Sequence, residues 1–339
     1  MYNRDIVNIK PLGFMWETRD PFLFCAHHND AYPKANALLG PDAPLTGRNI
    51  GQDFSQENTW RMYHGDVVPG FPAHPHRGFE TITIVLKGFV DHSDSHGAAG
   101  RYGNGDVQWM TAGSGLQHAE MFPLLDPYAP NPLKLFQVWL NLPAKDKFVP
   151  PFYKMLWSED IPNIIEHDSH GNTIEVRLIA GKYGNVTAVP PAPNSWAAKV
   201  ENEVAIWRIK LNPNAQWLLP PASQPVNRTL YFHHGNYLTL DGLIIKHDQS
   251  IDLLADRPLL IENSDLEAEM LLLQAVPIAE PIAQYGPFVM NTQAEIRQAI
   301  SDFQRTRFGG WPWPRQDNTH PVNTGRFARY ADGSEEIKN

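Results

Sequence analysis

The sequence predicts an all-β protein made of two β-barrel or jelly-roll domains with a C-terminal helix, and three observations carry that prediction. Short runs such as ETITIV, TIEVRLIA, EVAIWRIKL and EMLLLQAV are rich in β-branched residues and alternate in polarity, as strands do. The 339 residues include 30 prolines and 24 glycines, and only 19% are charged against 42% hydrophobic, a globular composition full of turns. The rhythm of short strands and turns in the first half returns in the second, which suggests a duplicated barrel with weak sequence repetition.

Taken in order, residues 1–30 hold two short apolar runs, IVNI and FLFC, expected as strands flanking the first sheet. His27 and His28 follow. Adjacent residues point to opposite faces of a strand, so at most one of them can enter a given site, and both read as ordinary polar or surface residues. From Asp30 to Gly70 the chain is rich in Pro, Gly, Asn and Asp, with one expected strand at TWRMYHG. A long irregular segment of this kind serves as a lid, a partner surface or a decorative insertion.

The stretch from Gly70 to Met121 organises the rest. Residues two apart share a face of a strand, and both His74/His76 and His118/Glu120 have that spacing. The glycines between the pairs, among them Gly88, Gly97 and Gly103, supply the turns of an antiparallel meander. Three imidazoles and one carboxylate converging from two strands form a metal site with room for exchangeable ligands. Such donors suit divalent iron, nickel, copper, manganese or zinc. Glu80 lies four residues after His76, hence on the same face if the strand is continuous. It is open to a role as ligand, as acceptor for a metal-bound histidine, or as a salt-bridge partner of Arg77. Trp109 reads as core, whereas His64, His92 and His96 lack a same-face donor at short spacing and are left out.

Leu133–Pro143 alternates as a returning strand, KDKFVPPFY reads as a connector, and further strands follow through RPLLIENSD and EMLLLQAV. His233 and His234 are adjacent rather than alternate, so the second half carries no matching metal set. The helix is expected after Asn291 or Thr292 as N-cap, with Glu295 close behind, Ile296, Ala299, Ile300 and Phe303 on one face, and Gly309 and Gly310 at the stop. Beyond it, Trp311 and Trp313 read as packing anchors of an extended tail whose last charged residues fray. The expected division is 1–145 for the metal-carrying barrel, 146–290 for the barrel without ligands, and 291–339 for helix and tail.

The formal charge of −9, from 28 basic against 37 acidic residues with no basic cluster, argues against direct nucleic-acid binding. A single cysteine, Cys25, excludes an intramolecular disulfide and a cysteine-based zinc site, and it reads as a small buried hydrophobe. The N-terminus lacks the apolar core of a signal peptide and no run of 18 apolar residues occurs, so a soluble, cytoplasmic protein without membrane contact is expected.

Four blocks, HPHRGFET (His74 to Thr81), GDVQWMTAGSGLQHAEM (Gly105 to Met121), NLPAKDK (Asn141 to Lys147) and GPFVMNTQAEIRQAISDFQ (Gly286 to Gln304), resemble the pirin family of the cupin superfamily. The resemblance implies a bicupin with metal, usually iron as Fe(II), only in the N-terminal barrel. Its ligand positions fall on His74, His76, His118 and Glu120, and Glu80 is not among them. It implies one of two functions. The first is a quercetin 2,3-dioxygenase acting on a flavonol-like small molecule and O2, with His118 and Glu120 catalytic and Glu120 available as base. The second is a redox-responsive regulator binding a transcription factor or metabolic enzyme, as monomer or weak dimer. The segment from Asp30 to Gly70 and the tail after Gly309 depart from the family pattern, and both are positioned in sequence to reshape the mouth of the site.

Overall fold

The computed structural model describes residues 5–223 and 225–338. They divide into two compact units. One gathers the chain up to Ala26 with Trp139–Asn141 and Glu159–Ala279; the other gathers His27–Val138, Leu142–Ser158 and the chain from Glu280.

In the first unit, seven strands form one sheet in the order Ile6–Pro11, Gln249–Leu253, Asn227–His234, Ala268–Ala275, Ala205–Leu211, Thr173–Ala180, Asn163–His167. A four-stranded sheet contains Gln216–Leu219, Leu259–Asn263, Tyr237–Leu240 and Leu243–Lys246. Alternate side chains of these strands, Val176, Leu178, Ile209, Leu230, Phe232 and Leu272 among them, are fully buried in one hydrocarbon core. Each such burial stabilises by roughly 1.5–3 kcal/mol. The IVNI run is a strand as expected. Its partner, however, is Gln249–Leu253 in this unit rather than a strand of the histidine-bearing sheet. Cys25 is wholly buried, and burial pushes its thiol pKa up.

In the second unit one sheet runs Phe152–Leu156, Val107–Thr111, Phe79–Lys87, Asn131–Asn141, Phe22–Tyr32. The other runs Glu335–Lys338, Arg326–Arg329, Ala99–Gly103, Phe89–Asp94, Leu116–Met121, Gly70–His76. The last two residues of the expected connector KDKFVPPFY therefore open a strand, Phe152–Leu156, paired with Val107–Thr111. Lys147, within NLPAKDK, is buried and donates to Gly78 O at 2.9 Å and Val289 O at 3.1 Å. That contact fastens the turn after His76 to the strand Phe288–Met290.

The helix spans Gln293–Thr306. Thr292 caps it in a reciprocal box with Glu295, which resolves the choice between Asn291 and Thr292. Ile296, Ala299 and Phe303 pack against Phe288, Met290 and Phe308. Asp302 pairs with Arg77 at 2.8 Å, so the helix is tied to the residue next to His76.

Three expectations are corrected. TWRMYHG is not a strand: Tyr63 takes a positive φ of 57° and forms only isolated bridges to Asp53 and Gly70. The segment is held by buried polar contacts instead, with Asp30 accepting from Arg61 at 2.9 Å and from the Tyr63 hydroxyl at 2.7 Å. The C-terminal residues do not fray, because Glu335–Lys338 pairs with Arg326–Arg329, which pairs with Ala99–Gly103. His28 is not a surface residue. It is buried beside Tyr63, Phe71 and Phe122, and burial lowers its pKa to about 3.

The tail between helix and hairpin lies along the same sheet. Trp313 donates its indole N–H to Asp94 O at 2.7 Å, and Ala73 N donates to Gln316 O at 2.8 Å. Arg101 and Asp91 form a fully buried pair at 2.7 Å, and the remaining guanidinium donors reach His320 O at 2.8 Å, Pro321 O at 2.9 Å and Thr324 O at 2.8 Å.

Candidate metal centre

The strand Leu116–Met121 has Gly70–His76 on one side and Phe89–Asp94 on the other, both antiparallel. Directly opposed residues put their side chains on the same face. His74 lies opposite His118, while His92 lies opposite Glu120 and Asp94 opposite His118. The pleat and register therefore deliver His74, His76, His118, Glu120, His92 and Asp94 to one side of the sheet. Ligand atoms of His74, His76 and His118 all lie within 4.8 Å of one another, the only such group of three among the described residues.

The trio is chemically prepared to receive a cation. Metal ligands must be neutral imidazoles, and burial keeps them so: His74 titrates at about 4, and His76 and His118 well below the usual imidazole range. Both ring nitrogens of His118 are buried with no hydrogen-bond partner among the described residues. Leaving such atoms unsatisfied costs roughly 1–3 kcal/mol each, and a bound metal removes part of that cost. The donor set of the trio fits a divalent metal.

Glu120 stands beside the trio. Its Oε2 is 3.7 Å from His118 Nε2, and its carboxylate accepts from Thr83 Oγ1 at 3.1 Å and Gln137 Nε2 at 2.6 Å. Burial raises its pKa, opposed by His92 and by these two donors. Gln137 and Thr83 were not singled out in the sequence; they come from different strands, and only the closure of the barrel brings them to Glu120.

Glu80 is not at the site. The strand ends at His76 and a new one begins at Phe79, with Gly78 at φ 87°, so the count of four residues does not preserve the face. Glu80 accepts instead from Trp109 Nε1 at 3.0 Å and Thr111 Oγ1 at 2.8 Å, and Arg77 pairs with Asp302. Trp109 is buried, as expected. His92, left out for want of a same-face donor, lies beside the trio. It is fully buried, its ring lies 5.5 Å from that of His118, and it stacks on Tyr153 at 4.7 Å. The signal was present, since His92-x-Asp94 has the same alternate spacing as the two pairs chosen.

Around the partly exposed His74 stands an aromatic wall. The Phe71 ring is 6.3 Å from it, Tyr63 stacks on Phe71 at 5.3 Å, and Phe122 closes on Phe71 at 6.0 Å. Phe54 and His64, from the irregular segment, meet Phe71 at 6.3 Å and 5.6 Å. The Asp30–Gly70 segment thus contributes wall to the approach to His74.

Two β-rich units, one carrying a largely buried imidazole trio on its sheet and the other an apolar core, define a bicupin. Comparison with known proteins makes this specific. The pirin family model matches residues 10–140, and the model of the pirin C-terminal cupin domain matches residues 206–309. The chain belongs to the pirin family. It is 38% identical over 239 residues to a Pseudomonas aeruginosa protein named "putative quercetin 2,3-dioxygenase", covering 70% of this chain and 79% of that one. It is 36% identical over 243 residues to a tomato (Solanum lycopersicum) pirin-like protein, covering 71% and 77%. Among solved structures, a crystal structure of quercetin 2,3-dioxygenase from Acinetobacter baumannii superposes with a TM-score of 0.69 at 27% identity, covering 90% of this chain and 98% of that one. No helix among the described residues is long and apolar enough to cross a membrane.

Proposed function

We propose that His74, His76, His118 and Glu120 hold iron(II), and that the protein is a dioxygenase that opens flavonols of the quercetin type, the activity its relatives' names carry. The observation that carries the reading is the convergence of three neutral imidazoles, one of them with no hydrogen bond to either nitrogen among the described residues, on the sheet that bears Glu120. The metal, when bound, supplies Lewis acidity toward the substrate's 3-oxygen and an electron reservoir for dioxygen chemistry.

The chain's own groups do the rest. Glu120, oriented by Thr83 and Gln137, takes the proton of the flavonol 3-hydroxyl and returns it to the product. Phe71, backed by the buried rings of Tyr63 and Phe122, receives the flat rings and excludes water from the reacting edge. The stoichiometry balances: the two carbon–carbon bonds flanking the hydroxyl-bearing carbon break, that carbon leaves with its oxygen as carbon monoxide, and both atoms of dioxygen end in the ester product.

Anaerobic reconstitution with iron(II), followed by oxygen uptake and carbon monoxide release with quercetin, tests the proposal on wild type and His76→Ala. Stoichiometric iron with turnover in the wild type, and loss of both in the variant, is expected. Tight iron binding without oxygen uptake would refute the enzymatic reading.

A further inference from the structure

The unit without the imidazole trio contains a cavity of about 580 Å³, the size of a small-molecule site. Its walls are mostly apolar, with Val189, Val204 and Ala205 among the lining residues, and Trp207 packs edge-on against Tyr183 at 5.4 Å. One lining residue breaks the pattern. Arg228 is 1% exposed on the strand Asn227–His234.

A guanidinium has five N–H donors in a fixed fork, and a buried one left unsatisfied is costly. Arg228 uses Nε on Gln274 Oε1 at 2.8 Å and Nη1 on Pro220 O at 2.8 Å. These two contacts lock the fork in place. Its other terminal nitrogen, Nη2, makes no hydrogen bond to any described residue. Burial lowers the pKa only to about 10, so the group is cationic at neutral pH. Lys182 and Lys199 also line the cavity, both exposed. Glu203 is the single acidic residue of the lining, and its carboxylate is engaged by the backbone N–H and hydroxyl of Ser223. The lining therefore has three cations against one anion, with the most deeply buried cation holding a donor in reserve.

We propose that this cavity binds a small monocarboxylate with an apolar body, the carboxylate on the Arg228 fork and the body against Val204, Ala205 and Trp207. A planar fork recognises carboxylate in preference to a neutral amide because charge-assisted bonds are about twice as strong as neutral ones. The apolar walls select against small hydrophilic anions.

Calorimetric titration of the full chain with 2-naphthoate, 3-phenylpropionate and octanoate tests this, with 2-naphthamide as the neutral comparator. Saturable one-to-one binding of at least one carboxylate is expected, with the amide at least tenfold weaker than the naphthoate. Ala222→Phe, which fills the cavity from a partly exposed position, abolishes it. Arg228→Lys, which keeps the charge but loses the fork, weakens it at least tenfold. Should Arg228→Lys fail to fold, Ala222→Phe and the amide still decide. Absence of saturable binding for all three carboxylates, equal binding of acid and amide, or affinity unchanged in Ala222→Phe overturns the proposal.

Discussion

Replacing Arg101 by methionine removes the centre of the tail's attachment, and the structure sets the size of the effect. Arg101 and Asp91 are both wholly buried and joined by two bonds, at 2.7 and 2.8 Å. Removing one member of such a pair leaves an uncompensated buried charge, a loss of about 3–5 kcal/mol. The carbonyls of His320, Pro321 and Thr324 also lose their donor, although water reaches part of this segment and softens that term. A total near 4 kcal/mol lowers the midpoint of thermal unfolding by about 10 °C for a unit of this size. Differential scanning calorimetry measures it, and limited trypsin digestion should show faster cleavage at Arg326 and Arg329, which the wild type protects by strand pairing. In the Arg101→Met/Asp91→Leu double variant the buried charge is gone, so the loss should be at least 2 kcal/mol smaller than the sum of the single losses. An Arg101→Met protein within 1 kcal/mol of wild type, with its tail still protected, would refute the view that this pair holds the extension down.

Three further outcomes are expected. Gln137→Leu, which removes one of the two donors holding the buried Glu120 carboxylate, should weaken metal binding about 10- to 100-fold in a chelator competition and lower stability by about 1–3 kcal/mol in thermal unfolding. Asp302 is held down at about 2 from 3.8, chiefly by Arg77. A carboxyl with a depressed folded pKa contributes stability above pH 3.8 and loses it as pH falls through 2. Asp302→Asn should therefore cost about 1–2 kcal/mol at pH 7, after allowance for solvent screening, and the gap to wild type should close between pH 4 and 2 in acid titrations followed by circular dichroism. Gly78→Ala meets both a φ of 87° and a Cβ only 2.0 Å from Val289 O. It should lower stability by about 3 kcal/mol or more and weaken metal binding, because His76 is two residues away.

What could be read from the sequence was whatever strand parity encodes. His74, His76 and His118 were legible because alternate spacing puts donors on one face, and the start of the helix because Thr292 and Glu295 are local signals; its end was not, since Arg307 in the left-handed region caps it rather than Gly309. Parity fails across a turn, so the same-face placement of Glu80, which held only for a continuous strand, is broken at Gly78. It is also silent on which strand lies beside which. That His92 meets His118 follows from the pairing of Phe89–Asp94 with Leu116–Met121, a contact between strands separated in sequence by two others that lie in different sheets. The tail and the Asp30–Gly70 segment escaped because their anchors, Arg101 to His320 and Asp30 to Arg61, join residues 219 and 31 positions apart and leave no periodic trace.

The seat of Arg326–Arg329 against Ala99–Gly103 has a consequence for the order in which the protein is made. Ribosomes release a chain from its N-terminus, so the strand Ala99–Gly103 emerges more than two hundred residues before the strand that covers it. Until then its backbone N–H and C=O groups form an open edge, and open edges recruit other chains. The nascent barrel that carries the imidazole trio must wait for Arg326–Arg329 before that edge closes. A chain stopped after Gly310 should therefore aggregate during synthesis while still retaining all three imidazoles, and a monodisperse truncated protein would show that the edge protects itself.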